Sequence, residues 1–191
     1  MSRPSNLENL QSLQDTIVWA AKTYGVTSGT VFDNLDVSAL GKNVTNPPAE
    51  DFIDNVFVLK FTVGTDKVHK NFPKPSDYTG TAGIDISYIW TNDGGVDDND
   101  KDVKGQITYQ VSSAGDAVDG TLGTIDVEDT YASASGYIEH KSGAMTIPHA
   151  AFTDETCIYI TFSFEAPAGT GITCEPHLIG LCISYAGRTF S

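Results

Sequence analysis

Apolar and polar side chains alternate along several segments after residue 52. Ile84, Ile86, Tyr88 and Trp90 alternate with polar or charged neighbours, and a period of two predicts a strand with one buried face. The same alternation recurs in three further segments, residues 56–63, 103–111 and 157–164. Residues 178–185 are apolar on both faces, which is typical of a central strand. Weaker patterns predict strands near 124–131 and 137–147.

About seven antiparallel strands separated by glycine-containing loops favour a two-sheet sandwich. The long connections between some of them are typical of a jelly roll or a related Greek-key sandwich. We therefore expect a mainly β fold, with the sandwich spanning residues 52–191. Phe162 and eight other apolar side chains are expected to share its core: Phe57, Leu59, Phe61, Ile107, Tyr109, Ile160, Leu181 and Ile183.

The first 24 residues carry a different pattern, that of an amphipathic α-helix. Ser5 and Glu8 fit a capping box, and Gly25 fits a helix stop. The apolar positions recur at spacings of three and four, which form the seam of a short coiled bundle: Leu10, Leu13, Ile17, Ala20 and Tyr24. A helix this short needs a partner surface. Packing against copies of itself and packing against its own sandwich both remain open.

Between the helix and the sandwich, residues 26–51 lose regular periodicity. Gly29, Gly41 and Pro47-Pro48 interrupt any long element. The segment is nevertheless too apolar for a disordered linker. We expect an extended arm of irregular or short-strand structure, so that residues 1–51 form a unit for attachment and oligomerisation.

The charge balance restricts the partners. Of the 191 residues, 25 are Asp or Glu and 11 are Lys or Arg, which gives a net charge of −14. Such a surface repels phosphate backbones, so we expect no nucleic-acid partner. Residues 1–4 contain no apolar signal core, and the apolar runs are shorter than a membrane span. We expect neither secretion nor a membrane partner.

The acidic segment 93–102 is the one local cluster with metal-ligand chemistry. Asp98, Asp100 and Asp102 have the one-three-five spacing of a calcium loop. Val103 stands where that loop requires glycine, and no glutamate closes it. A calcium site and a solvated hairpin tip are the two interpretations, and the second is favoured. No other cofactor is expected.

The remaining reactive residues do not form a catalytic pattern. His69, His140, His149 and His177 lack the short spacing of a metal pair. The cysteines 157, 174 and 182 lack C-x-x-C spacing and are expected in strands as buried free thiols, as in a reducing cytoplasm. Asp126, Glu128 and Glu139 could supply a glycosidase pair only if the fold brought them together. We therefore expect no enzyme.

Several aromatic side chains could stack on sugar rings, although sandwich tyrosines more often fill the core. The candidates are Tyr78, Tyr88, Trp90, Tyr131 and Tyr137. A glycan therefore remains an alternative partner.

Four segments resemble a family of small structural proteins from tailed-bacteriophage virions. They are Gly83–Trp90, the acidic loop, Val103–Tyr109 and Cys174–Leu181. The resemblance covers roughly residues 52–185 and lies in core positions, so it transfers no binding residue. Members of this family are jelly-roll modules that decorate the head or belong to fibres, commonly as trimers. The resemblance implies a homotrimer on the virion, in contact with the major capsid protein or other virion proteins, after synthesis in a host cytoplasm.

The resulting interpretation is a non-enzymatic virion protein, namely a trimeric capsid decoration or cement protein. The alternative in the same class is a fibre or receptor-binding module that binds a glycan. A carbohydrate-binding module outside a virion is less favoured because of the helical stem and the missing signal. An enzyme ranks third, because no reactive constellation is present.

Overall fold

The structure, a computed structural model, describes residues 26–78, 82–113, 123–152 and 157–190. The predicted helix lies outside these residues, as do its seam positions Leu10, Leu13, Ile17, Ala20 and Tyr24. The helix and the trimer seam therefore stay predictions. Among the described residues, no α-helix is present, and no helix is long and apolar enough to cross a membrane.

The described chain forms strands joined by loops and three short 3-10 turns. The strands are β1 (Val26–Asp36), β2 (Gly41–Lys42), β3 (Ala49–Ile53), β4 (Val56–Lys60), β5 (Val68–Pro73), β6 (Ile84–Thr91), β7 (Lys101–Ser112), β8 (Gly123–Tyr131), β9 (His140–Lys141), β10 (Met145–Ile147), β11 (Cys157–Glu165) and β12 (His177–Phe190). The turns are Val37–Ala39, Gly95–Asp97 and His149–Phe152.

The strand order is that of a jelly roll. The seven-stranded sheet runs β10-β6-β12-β4-β3, with β1 also paired to β12 and β9 to β6. The five-stranded sheet runs β2-β5-β11-β7-β8. Strands that follow one another along the chain mostly alternate between the two sheets. As a result, β4, β6, β10 and β12 face β5, β7, β8 and β11. The predicted mainly β, antiparallel jelly-roll sandwich is confirmed.

The inward-facing residues of the two sheets form one core. Seven of the nine predicted core side chains are buried in it, and Phe57 and Tyr109 pack against it while partly exposed. Aromatic rings dominate its centre, where Phe164 contacts the rings of both Phe61 and Phe162 edge-on. Gly105 leaves room for this cluster, because a Cβ there would lie 2.2 Å from Cε1 of Tyr88. The alternation therefore identified the correct faces.

Residues 26–51 are part of the sandwich. β1 pairs with β12 over eleven residues, from Val26 opposite Phe190 to Asp36 opposite Gly180. β2 pairs with β5, and the predicted boundary at residue 51 falls inside β3, which pairs with β4. Val37 and Leu40 are buried in the core. The long strand β1 is specified by its pairing with β12, so the segment forms a strand without regular alternation of apolar and polar residues.

Two strand predictions extend too far. β4 ends at Lys60, and Val63, the last residue of the predicted strand, is 37% exposed. Only the short strands β9 and β10 form within residues 137–147. Tyr137 has a φ of 60°, a left-handed conformation that a tyrosine in a strand does not adopt. The backbone therefore turns where the sequence pattern suggested a continuous strand.

Candidate binding surfaces

The acidic loop is anchored by one buried carboxylate, Asp98. Its Oδ1 accepts hydrogen bonds from the backbone N–H and hydroxyl of Thr173, at 2.7 and 2.6 Å, and from Lys101 Nζ at 3.4 Å. Its Oδ2 accepts from Asn92 Nδ2 at 3.0 Å and from the Cys174 N–H at 3.1 Å. Burial by itself raises the pKa of Asp98, but these donors outweigh it and hold the pKa below its usual value. Asp98 therefore ties the β6–β7 loop to the segment before β12.

The three predicted calcium ligands do not converge. Asp98 is fully buried among donors, which occupy the oxygens that a cation would need. Asp100 is exposed with a φ of 62°, and Asp102 accepts a hydrogen bond from Thr130 Oγ1 at 2.7 Å. No group of three or more His, Cys, Asp or Glu that could hold a metal occurs in the described part of the chain. Asp98 and Asp102 thus have hydrogen-bonding roles within the fold.

The three carboxylates considered as a glycosidase pair have separate surroundings. Asp126 lies on β8, 4.0 Å from Lys104 Nζ. Glu128, two residues further along the same strand, accepts the Ala168 N–H at 2.6 Å. Glu139 is exposed in the connection between β8 and β9, and β9 belongs to the other sheet. The strand arrangement does not pair Glu139 with either of them.

The cysteines are free thiols, as predicted. Cys182 is buried in β12, whereas Cys157 in β11 is half-buried. Cys174 was expected in a strand, but it lies in the segment that precedes β12 and is also half-buried. Burial and the neighbouring Asp93 raise the pKa of the Cys174 thiol, which keeps it protonated and poorly nucleophilic.

Most of the aromatic residues considered for sugar stacking fill the core. Tyr88, Trp90 and Tyr131 are fully buried. The indole N–H of Trp90 donates to Asp129 Oδ2 at 2.7 Å. Tyr137 is half exposed, and its ring lies 6.1 Å from that of His177 in an edge-on arrangement. These five aromatics do not form one exposed platform.

Part of the outer face of the seven-stranded sheet is covered. Val58, Thr91 and His177 point away from the sandwich core by their register, yet each is buried. The loop before β9 crosses part of this face, since Thr91 Oγ1 donates to the Ile138 carbonyl at 2.8 Å. Burial lowers the pKa of His177, as does Lys60, against smaller opposing effects of Asp93 and Asp51. This covered face is structural.

The outer face of the five-stranded sheet has a different composition. Tyr159 and Thr161 on β11 lie between Asn71 and His69 on β5 and Gln110 and Thr108 on β7. Gln106 lies two residues from Thr108 on the same face. We call six of these residues the neutral face: His69, Asn71, Gln106, Thr108, Tyr159 and Thr161. All are exposed or half-buried.

The neutral face contains a directional hydrogen-bond chain. Asn43 Oδ1 accepts the Thr45 and Asn46 N–H groups, at 2.8 and 3.1 Å, so its amide nitrogen faces His69 Nε2 at 3.1 Å. Nε2 must then be an acceptor, and the ring proton lies on Nδ1, which is 2.9 Å from Thr161 Oγ1. Burial, with a contribution from Lys67, lowers the pKa of His69 and favours this neutral form. Thr161 therefore accepts from His69 and keeps its own hydroxyl proton for another partner.

An apolar surface lies at the β3 edge of the other sheet. Phe52 is 66% exposed beside the β3–β4 turn, and its ring lies 5.3 Å from that of Phe57. Phe57 also lines a cleft of about 200 Å³ with Val37, Leu40 and Leu59, while Lys42 and Glu50 form an ion pair at its rim. We call Phe52, Phe57 and this cleft the edge cleft. Val56 adds a second exposed apolar side chain to the hairpin.

A second cavity of about 300 Å³ lies where residues 165–172 approach the start of β7. Val63, Pro167 and Ile172 line it together with the carboxylates of Asp102 and Glu165. Both carboxylates accept intramolecular hydrogen bonds, from Thr130 and Ser163 respectively. They serve the local structure there.

A scan of protein-family models finds no match to this chain, and a search of curated proteins finds none. Among solved structures, a xylan-binding module, CBM15, is similar with a TM-score of 0.48 and 11% identity; the alignment covers 84% of this chain and all of the module. A structure of infectious bursal disease virus, Gx strain, gives a TM-score of 0.39 at 11% identity, with 85% of this chain covered. The VP2 subviral particle of that virus gives 0.36 at 12%, with 85% covered.

This chain spans about a third of those viral chains, 32% and 34% of their lengths. The similar structures thus include virus capsid proteins and a carbohydrate-binding module. At such low identities and TM-scores, they identify neither a function nor a binding residue in this chain.

Proposed function

We propose that this protein is a non-enzymatic structural component of a virion, a capsid decoration protein that attaches through its N-terminal region and the edge cleft. The observation that carries this proposal is the exposed apolar hairpin. Exposed apolar side chains that occur singly are ordinary, but a contiguous apolar patch indicates a partner surface. Phe52, Phe57 and the adjoining cleft form such a patch, because Phe52 and Phe57 are cross-strand neighbours on one face of the hairpin.

Charge supports the same assignment of the attachment surface. A net charge of −14 opposes casual association between copies of the sandwich. At the rim of the cleft, Lys42 and Glu50 neutralise each other, and exposed Asp54 lies in the hairpin turn, so the cleft itself is the part that a partner can cover at the least electrostatic cost. A capsid subunit with a complementary apolar site is the partner that fits the proposal.

The polar side chains of the described residues support a structural role. The buried carboxylate of Asp98 anchors two loops, and the buried indole of Trp90 is bonded to Asp129. Both groups hold neighbouring segments of the chain in place. We propose that the chain uses these groups for stability and that it needs no cofactor.

The trimer is the second part of the proposal. It rests on the seam Leu10, Leu13, Ile17, Ala20 and Tyr24 and on the family resemblance. Replacing Ile17 with Asp places a charge in an apolar contact, which costs about 3–5 kcal/mol if left unpaired. Light scattering of the intact protein should give a trimer, and the Ile17→Asp variant a smaller species. A monomeric intact protein at micromolar concentration would remove the trimer from the proposal.

Co-sedimentation with particles that lack this protein tests attachment. The intact chain should bind saturably, and Phe52→Ser should weaken binding about tenfold or more, because truncation of an aromatic anchor costs about 2 kcal/mol or more. Val96→Ser is the matched control, since Val96 is 72% exposed in the Gly95–Asp97 turn, which does not line the edge cleft. Equal loss in both variants, or none in either, would reject the edge cleft as the attachment site.

Deletion of residues 1–25 is the second arm of this experiment. It leaves β1 intact, whereas deletion of residues 1–51 would also remove β1, β2 and the core residues Val37 and Leu40. We expect the 26–191 chain to fold and to bind particles more weakly.

A saturable hydrolytic activity in the intact protein would contradict the non-enzymatic assignment.

The fibre or receptor-binding alternative has one specific observation in its favour. The neutral face presents polar side chains to solvent, at a place separate from the edge cleft. A decoration protein and a receptor-binding module could share the same attachment surface and differ in the use of this face.

A further inference from the structure

The neutral face is a built array of hydrogen-bonding groups without formal charge. It combines an amide on β5, a second amide and a hydroxyl on β7, and a hydroxyl and a phenol on β11. The side chains of Asn71, Gln106 and Thr108 make no hydrogen bond with any part of the chain that the structure describes. They are therefore available to a ligand.

Charge is segregated along this face. Towards the other end of β7 and β11, the outward positions carry Lys104, Glu165, Asp102 and, on β8, Glu128 and Asp126, so the charged part of the face begins with Asp126 opposite Gln106. The neutral face itself carries no carboxylate or ammonium group. On a protein of net charge −14, such a surface fits an uncharged polar ligand better than an anion or a cation.

The hydrogen-bond chain from Asn43 through His69 to Thr161 fixes which groups of the array donate and which accept. Because Thr161 accepts from His69 Nδ1, its hydroxyl proton can be donated outward. The neighbouring amides of Asn71 and Gln106 each offer both a donor and an acceptor. A ligand with many hydroxyl groups can use all of these functions, since each hydroxyl both donates and accepts.

The dimensions favour an extended ligand. Neighbouring strands lie about 5 Å apart, and outward residues repeat about every 7 Å along each strand. The polar groups therefore recur at about the spacing of successive pyranose rings, and the phenol of Tyr159, on the middle strand beside Asn71, supplies an amphipathic ring. A protein partner would instead require an apolar core, which this face lacks.

We propose that the neutral face binds a neutral oligosaccharide, with Thr161, Gln106, Thr108 and Asn71 as hydrogen-bonding residues and Tyr159 as the stacking residue. The site is independent of the proposed attachment surface. Loss of particle binding and loss of sugar binding can therefore be told apart.

Isothermal titration of the intact chain with neutral hexasaccharides of xylose, glucose and N-acetylglucosamine tests this inference. At least one should bind with a Kd below about 1 mM, and polygalacturonate should not bind more tightly. Thr161→Val and Gln106→Ala should each weaken the interaction about tenfold, the effect of one ligand hydrogen bond lost. Tyr159→Ala should also weaken it.

Thr146→Val is the matched control, because Thr146 is an exposed strand threonine on the other sheet. It should leave sugar affinity unchanged. Unfolding midpoints of all variants identify any that have lost the fold. If the other variants do not fold, the affinity of Gln106→Ala alone decides the test. The inference is overturned if none of the three sugars binds, if affinity is unchanged in Gln106→Ala and Tyr159→Ala, or if those variants abolish a self-association of the intact chain instead.

Discussion

The two outer faces of this sandwich are built from the same alternation of side chains but differ in what lies over them. On the seven-stranded sheet, outward residues such as Val58 and His177 are fully or almost fully buried. On the five-stranded sheet, the neutral-face positions of β7 and β11 are polar, uncharged and partly open to solvent, although the next outward residues, Gln110 and Ser163, are buried. Burial of the first face contributes to stability, whereas the second retains unused hydrogen-bonding groups.

The comparison shows why a strand pattern by itself does not identify a binding surface. Outward positions can be covered by a loop, as the connection before β9 covers Thr91. They can also remain available, as Gln106 and Thr108 do within the described residues. The predictions that follow ask whether the two faces respond to substitution and to pH as this difference requires.

The largest effect is expected from a charge placed on each face. Val58→Asp introduces a carboxylate at a fully buried position without a partner and should destabilise the protein by about 3–5 kcal/mol. Thr108→Asp makes the same kind of change at a half-buried position and should cost about 1 kcal/mol or less. Denaturant unfolding of both variants measures the difference. Similar losses would mean that the neutral face is also a structural surface.

The next largest loss of stability is expected when Asp98, which anchors the segment before β12, is changed. Asp98→Asn removes the charge that five donors share, and we expect a loss of about 2–3 kcal/mol in the free energy of unfolding. Asp100→Asn is the matched control, because Asp100 is exposed and its φ of 62° suits asparagine. If thermal melts gave both variants the same midpoint, the proposed anchor would be wrong.

Acidification should destabilise the protein through one histidine on each face. Burial lowers the pKa of both His69 and His177 below 6.5, so the unfolded chain binds more protons as pH falls through that value. Their contribution to stability is complete above pH 6.5 and declines as pH falls towards the folded pKa values. The slope is at most about 1.4 kcal/mol per pH unit for each proton.

Unfolding free energies between pH 7.5 and 5 measure this slope, and the range follows from the unperturbed histidine value of about 6.5. His69→Gln and His177→Gln should each flatten the profile. Asp98 acts in a lower window, because its pKa is held below 3.8 and its contribution is lost as pH falls through the folded value. A profile between pH 7.5 and 5 that neither histidine substitution changes would contradict the assignment.

The strand segments of the sandwich could be predicted because their alternation is local. The faces of Phe61, Ile107 and Phe162 follow from their own neighbours in sequence. β1 could not be predicted in this way, since its eleven-residue pairing involves β12 at the other end of the chain. The extent of β4 was overestimated because apolar alternation continues to Val63 after the backbone has left the sheet.

The candidate sites depend still more on contacts between distant residues. Asp98 reads as a calcium ligand by spacing, but its partners Thr173 and Cys174 lie 75 and 76 positions away. Likewise, the Asn43 amide orients His69, which is 26 positions away in the sequence. The alternating pattern predicted that Gln106, Thr108 and Thr161 are polar strand positions. That they lie on one common face could be known only from the register of β7 with β11.

Hydroxyl-radical footprinting of virions that carry the protein, compared with the free intact chain, tests the central claim most directly. The claim is that a virion component attaches by the edge cleft and leaves the neutral face outward. On the particle, labelling of Phe52 should fall several-fold, and labelling of Tyr159 should remain as in the free protein. Protection of Tyr159 with unchanged labelling of Phe52 would reverse the orientation, and absence of the protein from purified virions would contradict the account as a whole.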